Sequence, residues 1–325
     1  MEGSGPGALG WFTFRRNMRY HRAGKRAGAR MSGQSETTAT ECRWEIDGLV
    51  LAGLAWGPED GTRVLALHGW MDHAASFQEL APRLTGCRVV ALDLSGQGLS
   101  AHRAPHATYN IWDDLPQIAG LLDLLGWRDC VLMGHSRGAN IATLFTAAQP
   151  QRVRALIALD SLVPAPSEAG VVATLRAFVE ETRAQQSRPP RTFPTREAYL
   201  ERRRAQGNAP HVSEALAGRA LEPVPEGFHL RGDRRLFASS AVKLTQADIE
   251  AVLRAIRCPV LNIWAETGIA ATRPEAARLP DFGAALIADY QTLRLPGDHH
   301  FHLDPAIAGR MADAIGDFLA RRLPG

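Results

Sequence analysis

The sequence predicts an α/β protein with a mostly parallel sheet covered by helices on both faces, and two patterns along the chain predict it. Short apolar runs alternate with segments of helical periodicity, and a region rich in Arg and Pro between about Leu162 and Arg257 interrupts that alternation. Strands that are apolar throughout and separated by helices are typical of a parallel sheet buried on both faces. The interruption predicts a helical cap inserted between two strands.

The predicted sheet has eight strands and starts with a hairpin, in which Asp47-Gly48 separates Cys42–Ile46 from Leu49–Trp56. Six apolar runs give the other strands: Val64–Leu67, Val89–Leu92, Cys130–Met133, Ala155–Leu159, Val260–Trp264 and Thr292–Leu295. Helical patterns cover Ser76–Leu84, Ile111–Leu125, Ala139–Gln149 and Ile307–Leu323, and in the cap Ala169–Ala184, Glu197–Ala205, Val212–Leu221 and Gln246–Ile256. The cap therefore follows the sixth strand. It occupies 162–257, between two core segments, 41–161 and 258–325.

Composition is that of a globular protein, with 45% hydrophobic and 22% charged residues and a formal net charge of +3. Much of the positive charge lies in residues 1–40, which we predict to be a disordered basic tail, with Met31 as a second candidate start. The predicted folded body shows no basic, aromatic-rich surface, which argues against nucleic acid as a partner. No apolar run is long enough to span a bilayer. The four widely spaced cysteines favour small buried side chains and a cytoplasmic location.

An apolar run ends in the turn Gly134-His135-Ser136-Arg137-Gly138, and a buried helical pattern follows it. A sharp turn from strand to helix with Ser at its apex holds the hydroxyl clear of the backbone. Such a turn packs strand against helix, so the positions two before and two after the Ser must lack bulk, as glycine does. An ordinary Gly-rich turn is the alternative, but the strand-turn-helix context predicts that Ser136 is a nucleophile.

The last predicted strand ends in a histidine-rich loop, Leu295–His302. A neutral imidazole at that edge of the sheet would have a pKa suited to accept the proton of a Ser nucleophile. His299, the first His after the Gly297 turn, is the predicted base, and His302 is predicted to stabilise the loop. A metal site made from His299, His300, His302 and Asp304 is the alternative, but no matching ligand set lies elsewhere in the chain. We expect neither a metal nor a cofactor.

The loop His68-Gly69-Trp70-Met71-Asp72 follows the strand Val64–Leu67. Gly69 would let the backbone approach a ligand, so that the N–H of Trp70, together with the N–H of Arg137, could form an oxyanion hole. Loop packing is the alternative for His68 and Trp70; we expect His68 to contribute to substrate binding. The next loop, which starts at Asp93, is predicted to be structural.

These landmarks give the chain a resemblance to α/β-hydrolase-fold enzymes from about Arg43 to Leu323. It is similar to the serine hydrolase-like proteins in the His68–Asp72 loop, the Gly-His-Ser-x-Gly elbow and a cap segment like Gly232–Leu236. The resemblance implies the order Ser, acid, His along the chain, with Ser136 first and His299 last. It also makes haloalkane dehalogenase and epoxide hydrolase chemistry less favoured, since in this fold those enzymes use Asp at the elbow.

The acid departs from the pattern of many members of this superfamily. They carry an Asp after the seventh strand, where this sequence has Gly268. Asp160, at the end of the sixth strand, and Glu266, at the end of the seventh, are the two candidates. A carboxylate must orient the base, so one of them is required for fast turnover. We predict Asp160, although a purely structural role at the entry to the cap is nearly as well supported, and Glu266 is the second choice.

Arg137 is unusual because similar elbows have an apolar or neutral residue after the nucleophile. Beneath a cap, its guanidinium could bind a carboxylate of the substrate or hold Glu266; an outward salt bridge to a cap acid is the alternative.

The sequence thus predicts a cofactor-independent serine hydrolase that cleaves a carboxylic ester, thioester or lactone, with a small acyl compound as its substrate. A carbon–carbon bond hydrolase or an acyltransferase is a variant of the same chemistry. The competing hypothesis is a catalytically weak hydrolase fold used to bind a ligand, which the glycine at position 268 keeps open.

Overall fold

The computed structural model describes residues 20–22 and 38–323. The strands are β1 (Tyr20–Arg22), β2 (Thr40–Ile46), β3 (Leu49–Trp56), β4 (Thr62–Leu67), β5 (Cys87–Leu92), β6 (Cys130–His135), β7 (Val153–Leu159), β8 (Thr192–Phe193), β9 (Leu221–Val224), β10 (Gly227–Leu230), β11 (Val260–Thr267) and β12 (Tyr290–Asp298). The helices are α1 (Leu115–Leu124), α2 (Arg137–Ala148), α3 (Val171–Gln186), α4 (Arg196–Ala205), α5 (Pro210–Ala220), α6 (Gln246–Ala255), α7 (Ile269–Thr272), α8 (Leu279–Leu286) and α9 (Pro305–Arg322).

One large sheet, in the order β1-β2-β3-β5-β4-β6-β7-β11-β12, organises the molecule. Pairing is antiparallel from β1 to β5 and parallel from β5 to β12. The eight predicted strands are β2 to β7, β11 and β12, so the predicted mostly parallel sheet is confirmed. The ninth, β1, comes from the segment 1–40 that we predicted to be disordered; the rest of that segment, apart from residues 38–40, lies outside the described residues.

The strands are apolar throughout because both faces of the sheet are covered. In β4, Leu65 and Leu67 face a core formed with α1, α2, α6 and α8, whereas Val64 and Ala66 face a second core formed with α9. All four side chains are fully buried. No helix among the described residues is long and apolar enough to cross a membrane.

The predicted helix Ser76–Leu84 is instead two short 3-10 turns, Ala74–Phe77 and Ala81–Arg83. Pro82 lies in the second turn, and a proline interrupts an α-helix because it has no N–H to donate.

The segment 162–257, which we predicted to be the cap and call the cap below, contains α3, α4 and α5 and also a three-stranded antiparallel sheet in the order β8-β10-β9. The sequence did not predict these strands because they are short and β9 contains Pro223, which is tolerated on an edge strand. The fourth predicted cap helix, α6, packs on α2, with Ile249 and Leu253 in the main core.

A buried ion pair ties the cap to the core. Arg219 of α5 donates from Nη2 and Nε to Asp93 Oδ2, at 2.7 and 3.2 Å. The same carboxylate accepts the N–H groups of Ala74 and Leu99, at 2.6 and 2.8 Å. Burial alone would raise the pKa of Asp93, but Arg219 and these amides hold it below its ordinary value. The loop that starts at Asp93 therefore has a structural function, in agreement with the sequence-based interpretation.

We expect Arg219→Met to lower the free energy of unfolding by about 3–5 kcal/mol, because it leaves the Asp93 carboxylate buried without its counterion. The double variant Arg219→Met/Asp93→Asn removes that charge and should recover part of the loss. Urea unfolding measures both.

Arg231→Met is the matched control, since Arg231 forms a longer, partly exposed ion pair with Glu222; it should cost less than about 1 kcal/mol. Equal losses for the two single variants would contradict this account of the cap anchor.

Candidate active site

The backbone at Ser136 is held in a conformation that L-residues rarely adopt. Ser136 lies between β6 and α2 with φ 54° and ψ −119°, and its N–H donates to the carbonyl oxygen of Leu159 at 3.0 Å. A Cβ added at Gly138 would lie 2.0 Å from Leu67 O, and one at Gly134 would lie 2.4 Å from Gly138 O. Glycine is therefore required at both positions, as the elbow pattern predicted.

Three side chains predicted from distant parts of the chain meet at the carboxyl ends of the parallel strands. His299 directly follows β12, and its Nε2 lies 2.9 Å from Ser136 Oγ. On the other side of the ring, Nδ1 lies 2.6 Å from Oδ2 of Asp160, which directly follows β7. A serine, an imidazole and a carboxylate thus form one continuous chain of hydrogen bonds.

Asp160 is 1% exposed and has a φ of 47°. Its Oδ1 accepts the N–H of Ala265 at 3.1 Å, and its Oδ2 accepts the N–H of Ile269 at 2.6 Å. Two amides and one imidazole therefore stabilise and orient this buried carboxylate. Glu266, the second candidate, is exposed and makes no hydrogen bond or ion pair with any described residue.

The glycine at position 268 makes room for this arrangement. A Cβ there would lie 2.2 Å from Asp160 Oδ2. The position that carries an Asp in many related sequences is thus occupied by the Asp160 carboxylate, which arrives from the neighbouring strand β7.

The loop after β4 lies against Ser136, since a Cβ added at Gly69 would be 3.4 Å from Ser136 Cβ. The indole of Trp70 is half-exposed, and its Nε1 donates to the carbonyl oxygen of the cap residue Leu236 at 3.0 Å. This hydrogen bond joins the loop to the cap. The backbone N–H groups of Trp70 and Arg137 donate to no residue that the structure describes. Both amides are therefore available to an incoming oxygen.

His68 was expected to help bind substrate, and the structure contradicts that expectation. Its side chain is fully buried; Nε2 accepts the N–H of Leu94 at 2.9 Å, and Nδ1 donates to Gly69 O at 2.7 Å. Burial lowers its pKa, which keeps the ring neutral. Nε2 joins this loop to the loop after β5 and Nδ1 bonds within its own loop, so no ring nitrogen remains for a ligand.

The Arg137 side chain contacts neither Glu266 nor a cap acid. Its Nη2 donates to Oδ2 of Asp114 at 3.1 Å and, at 3.4 Å, to the carbonyl oxygen of Tyr109. Asp114 is buried at the start of α1, and Arg103 binds its other oxygen at 2.7 Å. Asp114 was not identified from the sequence, because the residues around it indicated only that a helix begins there.

Two buried histidines lie behind the base: His135, to which the sequence analysis gave no role, and His302, for which it predicted a role in the loop. His135 Nε2 donates to His299 O at 2.7 Å, and its ring packs on His302 with centroids 4.2 Å apart. His302 Nε2 lies 2.7 Å from Ser76 Oγ, so the ring stabilises the loop as predicted. Asp304 caps α9 through the N–H groups of Ala306 and Ile307. The residues of the histidine-rich loop therefore have separate contacts: His299 with Ser136, His302 with Ser76, and Asp304 with the first amides of α9.

A cavity of about 520 Å³ lies between the core and the segments 236–244 and 269–279; Arg137 and Ser161, the chain neighbours of Ser136 and Asp160, line it, whereas Ser136, Asp160 and His299 do not. Arg137, Asn140 and Ile269 line it from the core, and Phe237 lines it from the cap.

Asp233 precedes the cap turn Arg234–Phe237. Its carboxylate accepts hydrogen bonds from the Tyr109 hydroxyl at 2.9 Å and from the Arg235 guanidinium at 2.7 Å. The cap motif Gly232–Leu236 thus holds the roof of the cavity on the core.

Comparison with known proteins agrees with this architecture. The family model described as the alpha/beta hydrolase fold matches residues 62–303. A serine hydrolase-like protein of Dictyostelium discoideum is 29% identical over 272 residues, which cover 79% of this chain and 75% of that protein. A serine hydrolase-like protein of Danio rerio is 29% identical over 302 residues, covering 88% and 90%. The crystal structure of a hypothetical protein from Pseudomonas aeruginosa PAO1 is 38% identical, with a TM-score of 0.82, and the match covers 89% of this chain and all of that one.

The chain therefore belongs to the α/β hydrolase fold family, and within it the chain is similar to the serine hydrolase-like proteins. Both predictions of the sequence, the fold and the group of relatives, are confirmed, and they support a hydrolase.

The buried histidines predict a loss of stability in acid. Burial lowers the pKa of His302 to about 3 and that of His135 well below its ordinary value. Between pH 6.5 and pH 3 the unfolded chain binds more protons than the folded one, so the free energy of unfolding falls as the pH falls. His302 alone should contribute up to about 1.4 kcal/mol per pH unit to that slope.

We expect His302→Gln to reduce the slope between pH 7 and pH 5, as measured by urea unfolding at each pH. His211→Gln, at an exposed position, is the control and should leave it unchanged. A slope in His302→Gln equal to that of the parent would refute the assignment.

Proposed function

We propose that this protein is a cofactor-independent serine hydrolase that cleaves a carboxylic ester, thioester or lactone through an acyl-enzyme. The observation that carries the proposal is the hydrogen-bonded chain of Ser136, His299 and Asp160, with links of 2.9 and 2.6 Å. A hydroxyl so placed, with an imidazole to accept its proton and a carboxylate behind the imidazole, is the arrangement that activates a weak nucleophile.

The geometry supports a two-stage reaction. Asp160, as a carboxylate, holds the Nδ1 proton of His299, so that Nε2 carries the lone pair and takes the proton of Ser136 Oγ. Ser136 Oγ attacks the carbonyl carbon of the substrate, and the N–H groups of Trp70 and Arg137 bind the negative oxygen that forms. His299 then protonates the leaving group. In the second stage His299 takes a proton from water, whose oxygen attacks the acyl carbon; the bond from that carbon to Ser136 Oγ breaks, and His299 returns the proton to Ser136 as the acid leaves.

The alternative of a catalytically weak ligand-binding module had one argument, the missing acid at position 268. The Asp160 carboxylate, which reaches His299 from β7, supports the hydrolase over this alternative. The names of the serine hydrolase-like relatives agree with a hydrolytic role, and the partly exposed Ser136 beside a cavity is consistent with one.

A fluorophosphonate probe tests the proposal, because it phosphonylates an activated serine. We expect one equivalent to label the parent protein, with peptide mapping assigning the adduct to Ser136. Ser136→Ala should abolish labelling, and His299→Ala should slow it at least about 100-fold, since the proton acceptor is lost.

Ser239→Ala is the matched control, because Ser239 lines the same cavity and has no hydrogen bond to the His299 ring; it should label at the parent rate. An unlabelled parent protein that also fails to hydrolyse short-chain nitrophenyl esters would favour the binding module.

A further inference from the structure

The cavity beside Ser136 has more positive than negative charge in its walls. Arg137, Lys243 and Arg273 line it, against a single carboxylate, Glu275. Neither Lys243, Arg273 nor Glu275 forms an ion pair with any part of the chain that the structure describes. Arg137 is paired with Asp114, while Lys243, Arg273 and Glu275 are exposed, so the wall carries a small excess of positive charge, which favours a negatively charged ligand.

The Arg137 guanidinium is incompletely satisfied. Only Nη2 has partners, Asp114 Oδ2 and Tyr109 O, while Nε is buried without one and Nη1 donates to none of the described residues. Asp114 cannot fully compensate it, because its other oxygen is bound by Arg103. Three of the five N–H donors of this side chain are thus unused.

Asn140 adds donors on the same face of α2, three residues after Arg137, and both side chains line the cavity. The Ser161 hydroxyl donates to Asn140 Oδ1 at 2.8 Å, which occupies the amide oxygen and leaves the NH₂ group without a partner among the described residues. Burial closes the Nε of Arg137 off from the cavity, so the donors on this face are the Nη1 group of Arg137 and the NH₂ group of Asn140. A carboxylate accepts hydrogen bonds and donates none, so it matches this pair.

Building on the proposed hydrolase function, we propose that the substrate is an acyl ester or thioester whose acyl chain carries a carboxylate, bound by Arg137 and Asn140. Arg137 follows Ser136 directly, so an acyl chain of moderate length could join the reacting carbonyl to the bound carboxylate. Ile111, Val163, Leu236 and Phe237 line the same cavity and suit the methylene groups between the two ends. Arg137 and Asn140 are in this view specificity-determining residues.

Three esters that differ in charge at the far end of the chain test the proposal. They are mono-4-nitrophenyl adipate, its neutral methyl ester and 4-nitrophenyl 6-aminohexanoate. We expect kcat/KM for the anionic ester to exceed that for the neutral ester at least about 10-fold, because hydrogen bonds to a charged group are stronger than those between neutral groups. The cationic ester should be the poorest substrate.

Variants separate recognition from folding. Arg137→Gln should abolish the preference for the anionic ester, measured as the ratio of kcat/KM for the two esters in the same variant, so that any general loss of activity cancels. Asn140→Asp should reverse the preference by adding a like charge. Arg137→Gln/Asp114→Asn repeats the first test without leaving a buried carboxylate short of a partner. Arg152→Gln is the matched control, because Arg152 pairs with Asp123 and does not line the cavity.

Binding can be measured without turnover in Ser136→Ala. Monomethyl adipate, which has a free carboxylate, should raise the Tm of this variant, whereas the neutral dimethyl adipate should not. Equal kcat/KM for the charged and neutral esters, with Ser136 labelled normally by fluorophosphonate, would overturn the carboxylate proposal and leave the hydrolase intact. No labelling and no hydrolysis of any of the three esters would overturn both. A preference for the anionic ester that survives in both Arg137→Gln and Asn140→Asp would also overturn the carboxylate proposal.

Discussion

Everything in the site depends on two backbone bends at the ends of neighbouring strands. Ser136 after β6 and Asp160 after β7 both have positive φ, 54° and 47°. The N–H of Ser136 donates to Leu159 O, and the N–H of Asp160 donates to Ile263 O at 2.7 Å, which ties β6, β7 and β11 together at one edge. Such conformations cost of order 1–3 kcal/mol each and persist only where the surroundings enforce them. The parallel sheet supplies that enforcement.

The buried polar groups around this edge show how the fold keeps the bends in place. His68 joins the loops after β4 and β5, and His135 holds the backbone of His299. Arg219 fastens α5 of the cap to Asp93 at the same edge of the sheet. Each of these side chains bonds backbone or a buried partner, so their function is to position the loops.

The sequence predicted the sheet, the elbow and the histidine loop because each depends on local pattern. Apolar runs reveal buried strands, and Gly134 and Gly138 reveal a close approach of backbone. The choice between Asp160 and Glu266 could not be made that way, since it depends on which strand end lies nearest the imidazole. In the sequence, Gly268 stands where an acid was expected. In the structure, a side chain at that position would collide with the Asp160 carboxylate.

Side-chain partners were the least predictable part. We expected His68 to bind the substrate, but its Nδ1 bonds the adjacent Gly69 O and its Nε2 accepts the N–H of Leu94, which comes near only in the folded state. Arg137 was expected to bind a carboxylate of the substrate, Glu266 or a cap acid; among the described residues, its carboxylate partner is Asp114, 23 residues earlier in the chain. The cap strands escaped prediction because β8 has only two residues and β9 contains a proline, so neither shows an alternating pattern.

The most direct test of the central claim, that the carboxylate from β7 completes the site, compares kcat in Asp160→Asn and Glu266→Gln with the parent on one activated ester. We predict that Asp160→Asn lowers kcat by about 10³–10⁴-fold, because the amide no longer fixes the proton on Nδ1 of His299. Glu266→Gln should stay within about threefold of the parent, since an exposed side chain that does not contact the base can alter the barrier by less than about 1 kcal/mol. Near-parent turnover in Asp160→Asn, or an equal loss in Glu266→Gln, would contradict the account.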